Sequence, residues 1–173
     1  MLERARQITA QLGERFRVRL DDREEYTPGW KFNEWEMRGV PLRVELGPRD
    51  LQQGQAVLVP RDAEGRRQPV PLEELVERVR TELEGIQARM LERARGFLQA
   101  HTVVARDYAE AVERIRQREG FVGVRWCGDQ GCEDRLRDDS GGSPRVIPEE
   151  PVDGPCLVCG RPAGWVVYFA RAY

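Results

Sequence analysis

Residues 20–50 read LDDREEYTPGWKFNEWEMRGVPLRVELGPRD, and the order of elements in this run decides the fold. An acidic-basic cluster, Asp21-Asp22-Arg23, follows a short apolar run. The turn Thr27-Pro28-Gly29 leads into a helix-like segment that holds Trp30, Phe32 and Trp35. After Gly39 and Pro41 the pattern changes to strict alternation, Leu42-Arg43-Val44-Glu45-Leu46, the period of a strand with one apolar face. It ends at Gly47-Pro48-Arg49-Asp50. Charged residues therefore gather where strands end, beside turns, and in an open α/β sheet ligands bind there.

Working outward, Leu2, Ala5, Ile8 and Leu12 are spaced for a helix over 2–13, closed by Gly13. Phe16-Arg17-Val18-Arg19-Leu20 alternates and predicts a strand. Gln55-Ala56-Val57-Leu58-Val59-Pro60 predicts another, with Asp62-Ala63-Glu64-Gly65 as a hairpin turn and 66–70 returning. Pro71 is expected to open a helix ~40 Å long, its apolar stripe running through Leu72, Leu75, Val76, Val79, Leu83, Ile86, Met90, Ala94 and Phe97. That stripe reads as core packing. The βα alternation predicts a mixed sheet flanked by helices over about 1–101.

Past a hinge at 101–106, Tyr108, Ala111, Val112 and Ile115 predict a short helix ending at Gly120. The texture then becomes short strands, glycine turns and cysteines, a small α+β domain over about 102–173. Asp138–Asp153 reads as a loop. Trp165-Val166-Val167-Tyr168-Phe169-Ala170-Arg171-Ala172-Tyr173 reads as a core strand running to the final residue. His101 stands at a helix end without a partner pattern and reads as structural.

Of 173 residues, 40% are hydrophobic and 34% charged, with a net charge of -2. That balance suits one or two small domains and shows no global basic surface, so any nucleic-acid contact must be local. Lys31 is the one lysine. Arginine suits forked contacts to phosphates and base edges, and a GC-rich genome produces the same bias. No apolar run approaches the ~20 residues of a membrane span, and no signal peptide is visible, so a cytoplasmic location is expected. No Gly-rich phosphate loop or nucleophile-base constellation is present.

The four cysteines are Cys127, Cys132, Cys156 and Cys159, two close pairs separated by a loop. This spacing suits a zinc site. Four thiolates fill a tetrahedron and leave no open position, so such a site is structural. Two disulfides, free thiols or an iron site are the competing readings.

The run over 20–50 resembles the anticodon-binding domain of class II aminoacyl-tRNA synthetases in its prolyl version. The stretches LDDR, PGWKFNEWEMRGVPLRVELGPRDL and the C-terminal FARAY resemble prolyl-tRNA synthetases of the archaeal/eukaryotic type, and the resemblance extends over essentially the whole chain. It implies a class II anticodon-binding fold followed by a zinc-binding domain with the four cysteines as ligands. It also implies proline tRNA as partner, and a whole enzyme that is a homodimer and ligates proline using ATP. Positions matching the family's anticodon contacts are Glu36, Arg43, Arg49 and Asp50, with Lys31 and Arg66 as further candidate contacts. Arg43 and Arg49 would donate to base or phosphate, and Glu36 and Asp50 would accept from guanine. From pattern alone, Arg43 and Glu45 read as exposed strand residues and Asp50 as a turn former after Pro48, and it is the resemblance that makes contacts of Arg43 and Asp50. Phe32 and Trp35 read as core, with Trp30 open between core and base stacking. By analogy Tyr173 would point its carboxylate at the catalytic domain's active site.

The family's domain begins with a central strand that this chain does not display, so a fragment, a late gene start or a partner-supplied strand is expected. The class II catalytic signatures are missing too, so the chain is not expected to activate proline by itself. A stand-alone zinc-stabilised RNA-binding or regulatory module, and a fragment without autonomous activity, are the alternatives.

Overall fold

The computed structural model describes residues 1–62 and 65–172. The tip of the expected 62–65 turn, Ala63 and Glu64, and the terminal Tyr173 lie outside the described residues. The elements in chain order are α1 (Leu2–Gly13), α2 (Pro28–Met37), β1 (Leu42–Glu45), α3 (Pro48–Gln52), β2 (Gln55–Pro60), β3 (Gln68–Pro71), α4 (Leu75–Ala100), β4 (Thr102–Val104), α5 (Tyr108–Gln117), β5 (Phe121–Trp126), α6 (Gln130–Ser140), β6 (Ser143–Val146) and β7 (Trp165–Ala170). They form two units, Met1–Arg93 and Ala94–Tyr173, divided within α4.

In the first unit the period-2 pattern decides which face is buried. Leu42 and Val44 of β1, Ala56 and Leu58 of β2, and Val70 of β3 share one face. Ile8 and Leu12 of α1 and Leu75 and Val79 of α4 cover it. The sheet order is β1-β2-β3, antiparallel throughout, with Val44 opposite Leu58 and Ala56 opposite Val70. The alternation that sends Leu42 and Val44 inward sends Arg43 and Glu45 to the opposite face.

Three local expectations change. No ladder forms over 16–20, because alternation specifies only which side chains share a face, and pairing needs a neighbouring strand, which is absent among the described residues. Pro71 closes β3 and the long helix begins at Leu75. The α4 stripe is buried only as far as Ile86, while Met90, Leu91, Phe97 and Leu98 are exposed. The helix has 26 residues, ~39 Å, whereas the longest strand of the sheet has six, ~20 Å, so the helix outruns its platform.

The second unit contains a mixed sheet of order β4-β5-β7-β6. β4 and β5 are parallel and joined through α5, and the other pairs are antiparallel. Ala111 and Ile115 of α5, Val122 and Val124 of β5, Leu136 of α6, and Val167 and Phe169 of β7 make its core. The stretch expected as a loop from Asp138 to Asp153 instead holds the end of α6 and all of β6.

Gly120, between the end of α5 and the start of β5, sets a close approach to His101, the residue between α4 and β4. Its φ is +101°, and a Cβ there would lie 2.2 Å from the His101 carbonyl oxygen, which accepts a bond from the Phe121 N–H at 2.8 Å. Gly120→Ala therefore combines backbone strain with a clash that no rotamer relieves. It is expected to destabilise the second unit by ~3 kcal/mol or more in denaturant unfolding. Unfolding at the parent's midpoint would refute the close approach.

Candidate functional site

Two sites emerge, one in each unit. In the first, the run Asp21–Arg23 anchors α2. Thr27 caps that helix by accepting from the Trp30 N–H, and Pro28 occupies its first turn, where no donor is lost. Arg23 forks onto the Asp21 carboxylate at 2.9 and 2.7 Å and also reaches Glu34. The Trp35 indole N–H donates to Asp21 at 2.8 Å. The Arg23 guanidinium is the main cause holding the Asp21 carboxyl well below the usual carboxylate range.

No residue of α2 is fully buried, so Phe32 and Trp35 are half-buried packing residues and not core. The reason is the company they keep. Phe32 lies under the Arg43 guanidinium, 4.1 Å from the ring centre, and Trp35 under Arg38. Trp30 is 45% exposed and stacks on Tyr26 with ring centres 3.9 Å apart.

Arg43 is the hub of the sheet face opposite the core. It donates to Glu45 at 2.8 Å and to Glu36 at 2.5 Å. Glu45 in turn accepts from Arg67. Burial works against the Arg43 charge, and the bonds to Glu36 and Glu45 outweigh it and raise its pKa. The side chains of Glu36 and Arg67 are 53% and 56% exposed, whereas Arg43 is 19% exposed. The set thus presents a carboxylate and a guanidinium to solvent around a fixed cation. Arg67 is not among the contacts the sequence suggests, and Glu45, expected as an exposed strand residue, is 12% exposed. Strand register brings them beside Arg43, and no local pattern marks that.

The remaining candidates lie apart from this hub or serve locally. Asp50 accepts from the Gly47 N–H at 3.0 Å and closes the first turn of α3. Arg49 is exposed and makes no ion pair among the described residues. Lys31 is half-buried, 3.8 Å from Asp21. Arg66 approaches Glu82 at 3.5 Å, within a cluster that includes Arg89 and the buried Asp62.

The second site is the cysteine cluster. β5 ends at Trp126, Cys127 follows, and Gly128 turns the chain with φ +88°. Asp129 then caps α6 by accepting from the Gly131 N–H, which sets Cys132 in the first turn of that helix. The second pair sits in a tight loop. The Cys156 N–H donates to the Arg161 carbonyl at 2.7 Å and the Gly160 N–H to the Cys156 carbonyl at 2.9 Å. The Leu157 N–H ties this loop to the Arg125 carbonyl at 3.0 Å.

The four sulfurs lie within 4.8 Å of one another. Cys127 is 3.8 Å from Cys132 and 3.6 Å from Cys159. A tetrahedral zinc with bonds of ~2.3 Å has sulfur edges of ~3.8 Å, so the donors fit a metal ion. They are far beyond the ~2 Å of a disulfide, and all four thiols are free. Burial pushes the Cys132 thiol up to about 12, while Arg161 brings Cys159 down to about 6.

No helix among the described residues is long and apolar enough to cross a membrane. Residues 1–82 match the family described as anticodon binding domain, and residues 108–173 match the family described as prolyl-tRNA synthetase, C-terminal. The proline--tRNA ligase of Natranaerobius thermophilus is 43% identical over 100% of this chain and 36% of its own length. That of Alkaliphilus oremlandii is 41% identical over 100% of this chain and 36% of its own. That of Lachnospira eligens is 44% identical over 91% of this chain and 33% of its own. The chain thus spans about a third of the length of the curated relatives it matches.

Proposed function

Residues 1–82 of this chain belong to the anticodon-binding domain family and residues 108–173 to the C-terminal domain family of prolyl-tRNA synthetase, and from that premise we propose that the chain reads the anticodon of proline tRNA. The observation that carries this reading is the linked set Glu36, Arg43, Glu45 and Arg67 on the sheet face opposite the core.

Proline anticodons share two guanines. A guanine offers O6 and N7 as acceptors, and its imino and amino groups as donors. Single-stranded loop bases present both edges. In this proposal Arg43 and Arg49 donate to base or phosphate, and Glu36 accepts from guanine. Asp50 is the second acceptor, through the lone pairs its turn does not use. Arg67 is added as a donor because it faces the hub, and Lys31 and Arg66 stay as outlying candidate contacts. Ion pairs hold Glu36, Arg43 and Arg67 in place before the bases arrive, so these three lose little side-chain freedom on binding.

The whole protein would be a homodimeric, cytoplasmic ligase that joins proline to its tRNA with ATP, with a catalytic domain as this chain's partner. The anticodon-reading part is assigned to about 1–101 and the metal-binding part to about 102–173, with Tyr173 directed at the catalytic centre. Cys127, Cys132, Cys156 and Cys159 would hold Zn2+ as a closed tetrahedral set, and that ion contributes folding free energy. A stand-alone RNA-binding module is the weaker reading, since the relatives are about three times this length.

The test is binding of this chain to proline tRNA, and to the same tRNA with the two shared guanines replaced, at one fixed salt concentration. The replaced tRNA is expected to bind at least about tenfold more weakly, since each forked base contact is worth ~1–3 kcal/mol. Equal binding of the two would remove the anticodon reading.

A further inference from the structure

We infer that Arg161 is a positioning residue for the metal centre, a cationic strap that joins the two cysteine loops and guards the two solvent-facing sulfurs. The inference rests on the metal reading of the four cysteines. Its Nε lies 3.4 Å from the Cys159 sulfur and one of its terminal nitrogens 3.7 Å from the Cys127 sulfur. The same terminal nitrogen donates to the Asp129 carboxylate at 2.7 Å. One side chain from the second loop therefore touches both loops at once. It adds a charged link to the Leu157–Arg125 backbone bond that also ties the loops together.

The choice of sulfurs follows from burial. Cys132 and Cys156 are buried, Cys127 is partly exposed and Cys159 is exposed. A chelator or proton reaches the exposed sulfurs first, and Arg161 covers these two. Four thiolates around a divalent cation leave surplus negative charge, most of it on sulfur. A guanidinium, always charged and forked, spreads its donors over separate nitrogens and so reaches two sulfurs and a carboxylate together, whereas a lysine ammonium concentrates its three donors at one point. Donation to a thiolate stabilises its lone pairs, which lowers its reactivity towards protons and electrophiles.

Asp129 completes the device. One of its oxygens accepts from the Gly131 N–H at 2.9 Å and starts α6, which carries Cys132, and the other accepts from Arg161. The orientation of the strap is thereby coupled to the helix that presents a ligand. Outer-shell partners of this kind typically change metal affinity ~10–100-fold when removed.

The test uses the full chain loaded with zinc, and in parallel with cobalt(II), as parent, Arg161→Ala, Arg161→Lys and Asp129→Asn. Arg161→Ala is expected to release zinc to a chromogenic chelator ~10–100-fold faster than the parent. Its sulfur-to-cobalt charge-transfer band should move to longer wavelength, because the sulfur lone pairs rise in energy without their donor. Arg161→Lys keeps a cation but not the fork. Asp129→Asn keeps the cap but not the ion pair. Both are expected to fall between parent and Arg161→Ala, so the proposal stays testable if the alanine variant does not fold.

Unchanged release and an unmoved band would overturn the strap. Faster release with an unmoved band would also overturn it, by assigning Arg161 to loop folding and not to sulfur. A parent chain that takes up neither metal would overturn the metal reading itself, and the strap with it.

Discussion

Cys156→Ser is expected to abolish metal binding and remove the cooperative unfolding transition of the Ala94–Tyr173 unit. Cys156 is buried, and its backbone N–H and carbonyl both hold the second loop. A serine hydroxyl stays protonated at neutral pH and is a poor zinc ligand, so one substitution leaves three donors and an open side. Structural zinc sites contribute ~10–16 kcal/mol of apparent binding free energy, comparable to the whole stability of a small domain, ~5–15 kcal/mol. The core here is built largely of alanine and valine around Ile115, Leu136 and Phe169, so little is in reserve. Circular dichroism melting with metal analysis on the same samples is the check, and a strong chelator on the parent should reproduce the variant. A metal-free variant that melts with the parent would show that the cysteines do not stabilise this unit.

Arg43→Ala is expected to weaken binding of proline tRNA by ~1–3 kcal/mol, ~5- to 150-fold, measured at fixed salt. The fold should survive, because Arg67 still pairs with Glu45 and Leu42 and Val44 still fill the core. Removing the hub frees Glu36 and uncovers Phe32, so the acceptor and the flat apolar surface lose their fixed positions together. Arg43→Lys should keep the charge and the fold yet recover only part of the binding, since an ammonium lacks the rigid planar fork whose separate nitrogens reach Glu45 and Glu36. Undiminished binding by a folded alanine variant would remove Arg43 from the contact set.

The long periodic elements were legible. α1, α2 and α5 follow the spacing of their apolar residues, and β1, β2 and β7 follow alternation or a continuous apolar run. The missed elements lack those signals for identifiable reasons. α3 has five residues, too few for a helical period to appear. α6 is overwhelmingly polar, and its inward face is Cys132, Leu136 and Ser140, of which only Leu136 reads as apolar. β6 contains Pro144 and Arg145 and pairs with β7 across a register shift, so its partner determines it more than its own pattern does.

The same division holds for the sites. The cysteine set was visible because each pair lies close in sequence. Arg161 was not, because its meaning depends on Cys127 and Asp129, which reach it only through the folded loops. Glu45 and Arg67 were hidden likewise, since their link to Arg43 is made by the sheet.

The order β4-β5-β7-β6 also has a bearing on biosynthesis. β7 is the last of this sheet's four strands in chain order, yet it lies between β5 and β6 and carries the buried Phe169. While translation passes from Cys132 to Ala170, a matter of seconds at ~5–20 residues per second, β6 has no partner and β5 has a bare edge. Over most of that interval the first cysteine pair also waits for the second. A nascent polypeptide interrupted there would display an unpaired edge and half a thiolate set, features that proteases and chaperones engage. The central placement of a late strand thus makes translation through Ala170 a condition for burial of this sheet, and separates chains stopped before that strand from those that contain it by their susceptibility to degradation.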